Sequence, residues 1–230
     1  MAVLSGAPPV EVHLKRSART RRFSLRVSRL DGKVTLSVPI HAREGEAMAF
    51  LRGHEDWLRQ TLAALPGSAL QPVGIGTELL VEGRKLQLAP GSGRSLRVDG
   101  GHLLVPGNSA AAGARVAAWL KTLARDRLAL ASTRYAGLVG RNYSSLALRD
   151  TRSRWGSCSP DGRLMYSWRL IMAPPEVLDY VAAHEVAHLV EMNHSPAFWR
   201  VVDRICPGWQ TRRAWLKDQG GALHRLRFQD

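Results

Sequence analysis

Residues 184–188 read His-Glu-Val-Ala-His, and this pentapeptide restricts the fold around it more than any other part of the chain. Two histidines four residues apart can grip one ion on a helix, because that spacing advances about 400° and places His184 and His188 nearly one above the other. Glu185 lies roughly 100° further round, where its carboxylate can reach a water beside the ion without becoming a ligand. The pattern therefore predicts a helix that carries Zn²⁺ and an activated water, with Glu185 as the general base.

A catalytic zinc site needs a third protein ligand and one open position. His194 is the predicted third ligand. On an unbroken helix it would lie about 240° round from His188, so the helix must end near Met192-Asn193, where asparagine tolerates a left-handed conformation. Glu191 is the alternative, since it stays on the ligand face if the helix continues, although its Cα would lie about 10 Å further along the axis than that of His184. One zinc per chain is expected.

Hydrophobic periodicity places these residues in a second, largely helical half of the chain. Helical patterns occur at 116–135, 176–191, 196–205 and 209–219, and strand patterns at 145–149 and 152–169, the latter broken by a turn at 159–162. The first 110 residues instead show short alternating strands, one helix and several turns. The strands are at 23–27 and 34–38 around an Asp31-Gly32 turn, the helix runs from Glu44 to a stop at Pro66-Gly67, and hairpins are at 78–88 and 96–105.

The formal net charge of +14 raises the question of an anionic partner. The densest basic segment, Lys15–Arg22, contains no aromatic residue that could stack on a base, so a solvated basic face is favoured over nucleic-acid contact. No apolar segment is long enough to span a membrane or to act as a secretory signal, and Cys158 and Cys206 suit a reducing compartment. A cytoplasmic location without membrane contact is expected, and the oligomeric state is left open.

Four segments of the second half carry a resemblance to a known family: 154–159, 166–170, 180–189 and 193–199. They resemble the YgjP-like metallopeptidases, relatives of the SprT and WLM zinc proteases, over most of residues 141–219, and the preceding sheet region is also similar to that family. The resemblance implies that His184, His188 and His194 are zinc ligands and that Glu185 is the catalytic base.

We therefore predict an α+β metallopeptidase that acts on a peptide or protein substrate. Residues 1–110 are predicted as a mixed β-sheet region with one helix, and residues 111–230 as a zincin-like catalytic domain with an active-site helix and an adjacent β-hairpin. One alternative is a DNA-associated protease of the SprT/WLM kind that acts on DNA-bound proteins. Others are a zinc hydrolase of a non-peptide bond and a zinc-binding module without turnover, against which the intact Glu185 argues.

Other residues near the predicted site are assigned as follows. The strand 163–170 is a candidate for pairing with an extended substrate, with a purely structural hairpin arm as the alternative. Trp155, Trp168, Phe198 and Trp199 are expected to be core aromatics. Arg152 and Arg154 could stabilise an oxyanion, but structural or surface arginines are commoner, so neither is included in the predicted site.

Overall fold

The computed structural model describes residues 2–28, 32–64 and 70–228. Their contacts divide the chain into two compact units, Met1–Leu70 and Gln71–Asp230. The domain division expected after residue 110 stays a prediction, and the contacts separate the units earlier. Asp31 and Pro66-Gly67, to which a turn and a helix end were assigned, lie outside the described residues. No helix in the described ranges combines the length and the apolar composition that a membrane span requires.

The first unit contains a four-stranded sheet and two helices. Its elements are β1 (Ala2–Leu4), β2 (Val10–Ser17), β3 (Ser24–Val27), β4 (Val34–Pro39), α1 (Glu44–Gly53) and α2 (Glu55–Ala63). The strand order is β1-β2-β4-β3, in which β2 and β4 are parallel and the other pairs antiparallel. The strands predicted at 23–27 and 34–38 are confirmed. The single helix predicted from Glu44 is two helices, because His54, at φ −119° and ψ 15°, interrupts it.

Alternating side chains explain the core of this unit. Val12 of β2 and Leu36 of β4 are fully buried, as are Leu51 and Leu58 of the two helices, and all four belong to one cluster. The basic segment 15–22 covers the last three residues of β2 and the turn after it. Within β2, Arg16 donates a hydrogen bond to the backbone carbonyl of Ala42 at 2.7 Å.

The second unit begins with another four-stranded sheet. The first strands of this unit are β5 (Gln71–Pro72), β6 (Glu78–Val81), β7 (Arg84–Gly91), β8 (Arg97–Asp99) and β9 (His102–Pro106), and the last four of them form the sheet. The order β6-β7-β9-β8 and the strand directions repeat those of the first sheet. Both predicted hairpins are confirmed. Each turns on two residues with positive φ, Glu82-Gly83 at 50° and 75° and Gly100-Gly101 at 51° and 82°, as a type I′ turn requires.

Helices dominate the remainder of this unit. The elements are α3 (Ala112–Val139), β10 (Ser145–Arg149), β11 (Gly156–Cys158), β12 (Arg163–Ser167), α4 (Pro175–Ala187), α5 (Pro196–Ile205), α6 (Trp209–Gln219) and β13 (Leu226–Arg227). Three of the strands form a sheet in the order β10-β12-β11, and β13 pairs with β5. The predicted α+β class is confirmed.

Helix α4 lies at the centre of the core of this unit. Pro175 in its first turn and Glu176 beside it favour a helix start at this point. The helix contacts α3, α5, α6 and β11, and apolar residues are buried around most of its circumference. Leu88 and Leu103 of the second sheet belong to the same apolar cluster as Val116 of α3, which explains why residues 71–110 join the helical part in one compact unit.

Candidate active site

Helix α4 carries His184 and Glu185 in its last turn and ends at Ala187, so that His188 is its C-terminal cap residue. The helix was predicted to continue to about Glu191, and this prediction is wrong. The backbone instead forms tight turns after the helix, in which the N–H groups of residues 189, 190 and 191 donate hydrogen bonds to the carbonyls of residues 186 and 187. The chain therefore turns away from the helix axis earlier than the sequence indicated.

The return of the chain to α4 depends on side-chain hydrogen bonds rather than on a left-handed residue. Among the described residues, Glu82 is the one non-glycine residue with positive φ, so the left-handed conformation predicted near Asn193 is also wrong. Asn193 instead accepts a hydrogen bond at its Oδ1 from the backbone N–H of Ser195 at 3.1 Å. Ser195 caps α5 by accepting from the N–H of Phe198, and Pro196 follows in the first turn. These contacts fix the backbone on both sides of His194.

Three histidines meet where this segment returns. The side-chain nitrogens of His184, His188 and His194 that could bind a metal all lie within 4.8 Å of one another. The Nε2 atoms of His184 and His194 are 3.0 Å apart. Nδ1 of His188 is 2.9 Å from the backbone carbonyl of Glu191, which leaves Nε2 of His188 for another partner. Glu191, the alternative third ligand, thus contributes its main chain to this arrangement, and its carboxylate is not in the group.

Phe198 packs against the three imidazole rings from one side. It is fully buried, as expected of a core aromatic, and its ring centroid is 4.9, 4.4 and 4.8 Å from those of His184, His188 and His194. Trp168 is also buried, whereas Trp155 and Trp199 pack partly exposed against the same core. An apolar wall of this kind restricts the rotamers of the histidines and excludes water from one side of the cluster.

Burial keeps the rings of His184 and His188 neutral. It lowers the pKa of His184 to about 3, and the neighbouring His188 and His194 add to this shift. Burial also lowers the pKa of His188, against the opposing effect of its hydrogen bond to the Glu191 carbonyl. Both rings are therefore uncharged at pH 7, and the uncharged imidazole is the form that ligates a metal ion.

Glu185 is a buried acid beside this cluster. Glu185 is 6% exposed. Burial raises the pKa of its carboxyl group to about 8, while the positive charge of Arg154 acts to lower this pKa. A carboxyl group whose pKa lies near neutrality can both accept and release a proton at pH 7.

Strand β11 passes so close to Glu185 that a side chain at its first position, Gly156, would meet the Glu185 side chain. A Cβ atom on Gly156 would lie 2.6 Å from both Cγ and Oε1 of Glu185, a distance that packed atoms do not adopt. Any side chain here would displace the carboxyl group. Sequence patterns do not predict the contact of Gly156 with Glu185, because the two residues are distant along the chain.

The prediction that the strand 163–170 pairs with an extended substrate is wrong, and the alternative, a structural hairpin arm, agrees with the structure. Most of the segment 163–170 forms β12, which lies between β10 and β11 and pairs with both, so it has no free edge. Residues 168–170 leave the sheet in a 3-10 turn. In the three-stranded sheet of the described residues, β11 is an edge strand, and it is also the strand beside Glu185.

A cleft of about 370 Å³ opens next to Glu185. The start of β11 and the residues before it, the last turns of α4, and one face of α6 line it, so that Arg154, Arg213 and Lys217 border the same space as His184 and Glu185. The contribution of α6 was not predicted, because its apolar pattern indicates a helix without indicating which helix it faces.

Residues 21–219 match a family model described as "YgjP-like, metallopeptidase domain". Among solved structures, the metallopeptidase zymogen of Pyrococcus abyssi abylysin is 24% identical, with a TM-score of 0.34, over 42% of this chain and 95% of that chain. A search of curated proteins found no match.

Proposed function

The chain belongs to the YgjP-like metallopeptidase family, and from this premise we propose that it is a zinc peptidase with His184, His188 and His194 as ligands and Glu185 as general base. Membership makes the chain a metal-dependent hydrolase of peptide bonds that acts on a peptide or protein substrate. The observation that carries the finer proposal is the meeting of three histidines, with ligand atoms within 4.8 Å, beside one buried carboxyl group.

The residues present suit zinc better than Mg²⁺ or Ca²⁺. Three imidazole nitrogens form a donor set that zinc prefers, whereas Mg²⁺ and Ca²⁺ prefer oxygen ligands. The close approach of Nε2 of His184 to Nε2 of His194 directs two nitrogens at one point, and the carbonyl of Glu191 orients the third ring. Three protein ligands also leave one coordination position open, as in catalytic zinc sites.

The chemistry divides between the metal and the protein. Bound zinc lowers the pKa of a water toward about 7 and polarises a carbonyl group. Glu185 accepts the proton of the attacking water and then delivers it to the leaving amine, for which a pKa near neutrality is suited. A metal cation bound by the histidines would lower the pKa of Glu185 below its value in the metal-free protein and favour the ionised carboxylate, which can accept a proton. The free edge of β11 would hold an extended peptide through main-chain hydrogen bonds.

Cleavage should therefore depend on zinc. We expect the purified protein to cut an unfolded protein substrate, to lose this activity after treatment with a chelator, and to regain it with one equivalent of Zn²⁺ but not with Mg²⁺ or Ca²⁺. The measurement is the rate of cleavage together with metal content by elemental analysis. Undiminished cleavage by protein shown to be free of metal would contradict the proposal.

Gly156→Ala should lower activity while leaving the protein folded. The added Cβ meets Cγ and the carboxyl group of Glu185 rather than backbone, so we expect the Glu185 side chain to move while the backbone stays in place. Because a misplacement of about 1 Å in a catalytic group can cost about 100-fold, we expect kcat/KM to fall roughly 10- to 100-fold with little change in Tm.

Gly137→Ala is the matched control for this prediction. Gly137 lies within α3, has no atom within 4 Å of an added Cβ, and does not have positive φ, so its replacement should leave activity unchanged and slightly raise Tm. Full activity of Gly156→Ala would mean that the position of the Glu185 carboxyl group is not set by β11.

A further inference from the structure

The cleft beside Glu185 is lined by three positive side chains and by no other acid. Arg154 contributes from the strand side, Arg213 and Lys217 contribute from α6, and Glu185 is the single carboxyl group in the lining. All three basic residues are exposed, and none forms a salt bridge with another described residue. The lining thus sets three basic side chains against one carboxyl group, that of Glu185.

Two of these charges are held on one helical face. Arg213 and Lys217 are four residues apart on α6, which brings their side chains together and makes them repel each other. The guanidinium of Arg213 lies over the rings of Trp199 and Trp209, 5.1 and 5.9 Å from their centroids, and these two rings stack on each other at 4.4 Å. Stacking orders the guanidinium before any ligand arrives, so less conformational entropy is lost when it binds an anion.

We infer that this cleft selects peptides with aspartate or glutamate close to the bond that is cut. An extended peptide along the edge of β11 would point alternate side chains to one face, and a carboxylate on that face could pair with Arg213 or Lys217. Arginine offers a planar pair of donors that matches a carboxylate, and lysine offers a point charge. The same charges would repel basic peptides, so the cleft discriminates by attraction and by repulsion. This inference rests on the proposed function of the same site.

The first test compares two peptides of equal length that differ only in having Glu and Asp or their amides Gln and Asn around the central bond. We expect the zinc-loaded enzyme to cut the acidic peptide about ten times more efficiently in kcat/KM. The preference, taken as the ratio of the two kcat/KM values, should fall about three-fold in Arg213→Gln and in Lys217→Gln and nearly vanish in the double variant. It should also shrink as salt is raised toward about 0.5 M, since exposed charges are screened.

Two further variants separate the charge of the cleft from other effects. Arg213→Lys keeps the positive charge and loses the planar guanidinium, so it should retain most of the preference for the acidic peptide. Arg200→Gln removes an exposed charge from α5, outside the cleft lining, and should leave the preference unchanged. If Arg200→Gln lowers the preference as much as Arg213→Gln does, the net charge of the protein and not the cleft sets it, and the inference is wrong.

Binding tests the inference without turnover. The zinc-loaded Glu185→Gln variant should bind the fluorescently labelled acidic peptide about ten-fold more tightly than the amide peptide, measured by anisotropy. If the acidic peptide binds preferentially but no peptide is cut by the parent enzyme, the proposed function fails, and what stands of the inference is the selection of acidic peptides by the cleft. Equal cleavage and equal binding of both peptides would overturn the inference and leave the peptidase proposal intact. Displacement of both peptides alike by a short DNA oligonucleotide would assign the charges to phosphate and likewise overturn it.

Discussion

Replacing Glu185 by glutamine should reduce peptide cleavage by about 10³-fold in kcat/KM while the zinc stays bound. The amide has almost the shape of the carboxyl group but cannot accept a proton from the attacking water. The histidines keep their positions, because Phe198 packs against their rings and Glu191 orients His188 through its backbone. The measurement is kcat/KM on an unfolded protein substrate, with zinc content matched to that of the parent enzyme by elemental analysis.

Glu176→Gln provides the control for this loss. It removes one negative charge from the same helix, but from the exposed first turn, so it should leave turnover unchanged and lower stability only slightly. Unchanged cleavage by Glu185→Gln at full zinc occupancy would remove Glu185 from the mechanism and leave the position of the general base unassigned.

Replacing His194 by alanine should cost the protein its zinc. One of three nitrogen donors is lost, and since loss of a residue that merely orients a ligand weakens metal binding about 10- to 100-fold, loss of a ligand should weaken it by more than about 100-fold. Such a variant should be inactive at zinc concentrations that saturate the parent enzyme. The measurement is a competitive zinc titration against a chromogenic chelator.

Glu191→Ala is the matched variant, because the structure uses the backbone carbonyl of Glu191 and not its carboxylate. Alanine keeps that carbonyl, so zinc affinity should change little. The reverse pattern, with zinc retained by His194→Ala and lost by Glu191→Ala, would show that the third ligand is assigned to the wrong residue.

Sequence reasoning succeeds at this site where the geometry is local. The relation between His184, Glu185 and His188 follows from helix periodicity alone, and the structure places all three at the end of α4. The choice of His194 as third ligand requires the chain to turn back after the helix, and His194 does reach the other two histidines. The way in which the chain turns was not predictable from periodicity, because the ending of α4 depends on main-chain hydrogen bonds after Ala187 and on the Asn193 side chain.

Contacts between distant segments are where sequence reasoning fails. Alternation in residues 163–167 indicates a strand but cannot show that β12 lies inside its sheet, with both edges paired. The packing of Gly156 against Glu185 is invisible for the same reason. Arg169 gives a third case, since this buried guanidinium binds Asp150 and donates to the carbonyls of Leu223 and Leu226, partners that no local pattern can identify.

The central claim is that one zinc ion is held by three histidines beside Glu185, and anomalous X-ray scattering from crystals of the zinc-loaded protein tests it most directly. Data collected on both sides of the zinc absorption edge should show one strong peak per chain, about 2.0–2.1 Å from a ring nitrogen of each of His184, His188 and His194. The Glu191 carboxylate should lie outside the coordination sphere, and the Glu185 carboxyl group should lie beside the metal without binding it. A peak at another position, or coordination by Glu191 in place of His194, would contradict the account.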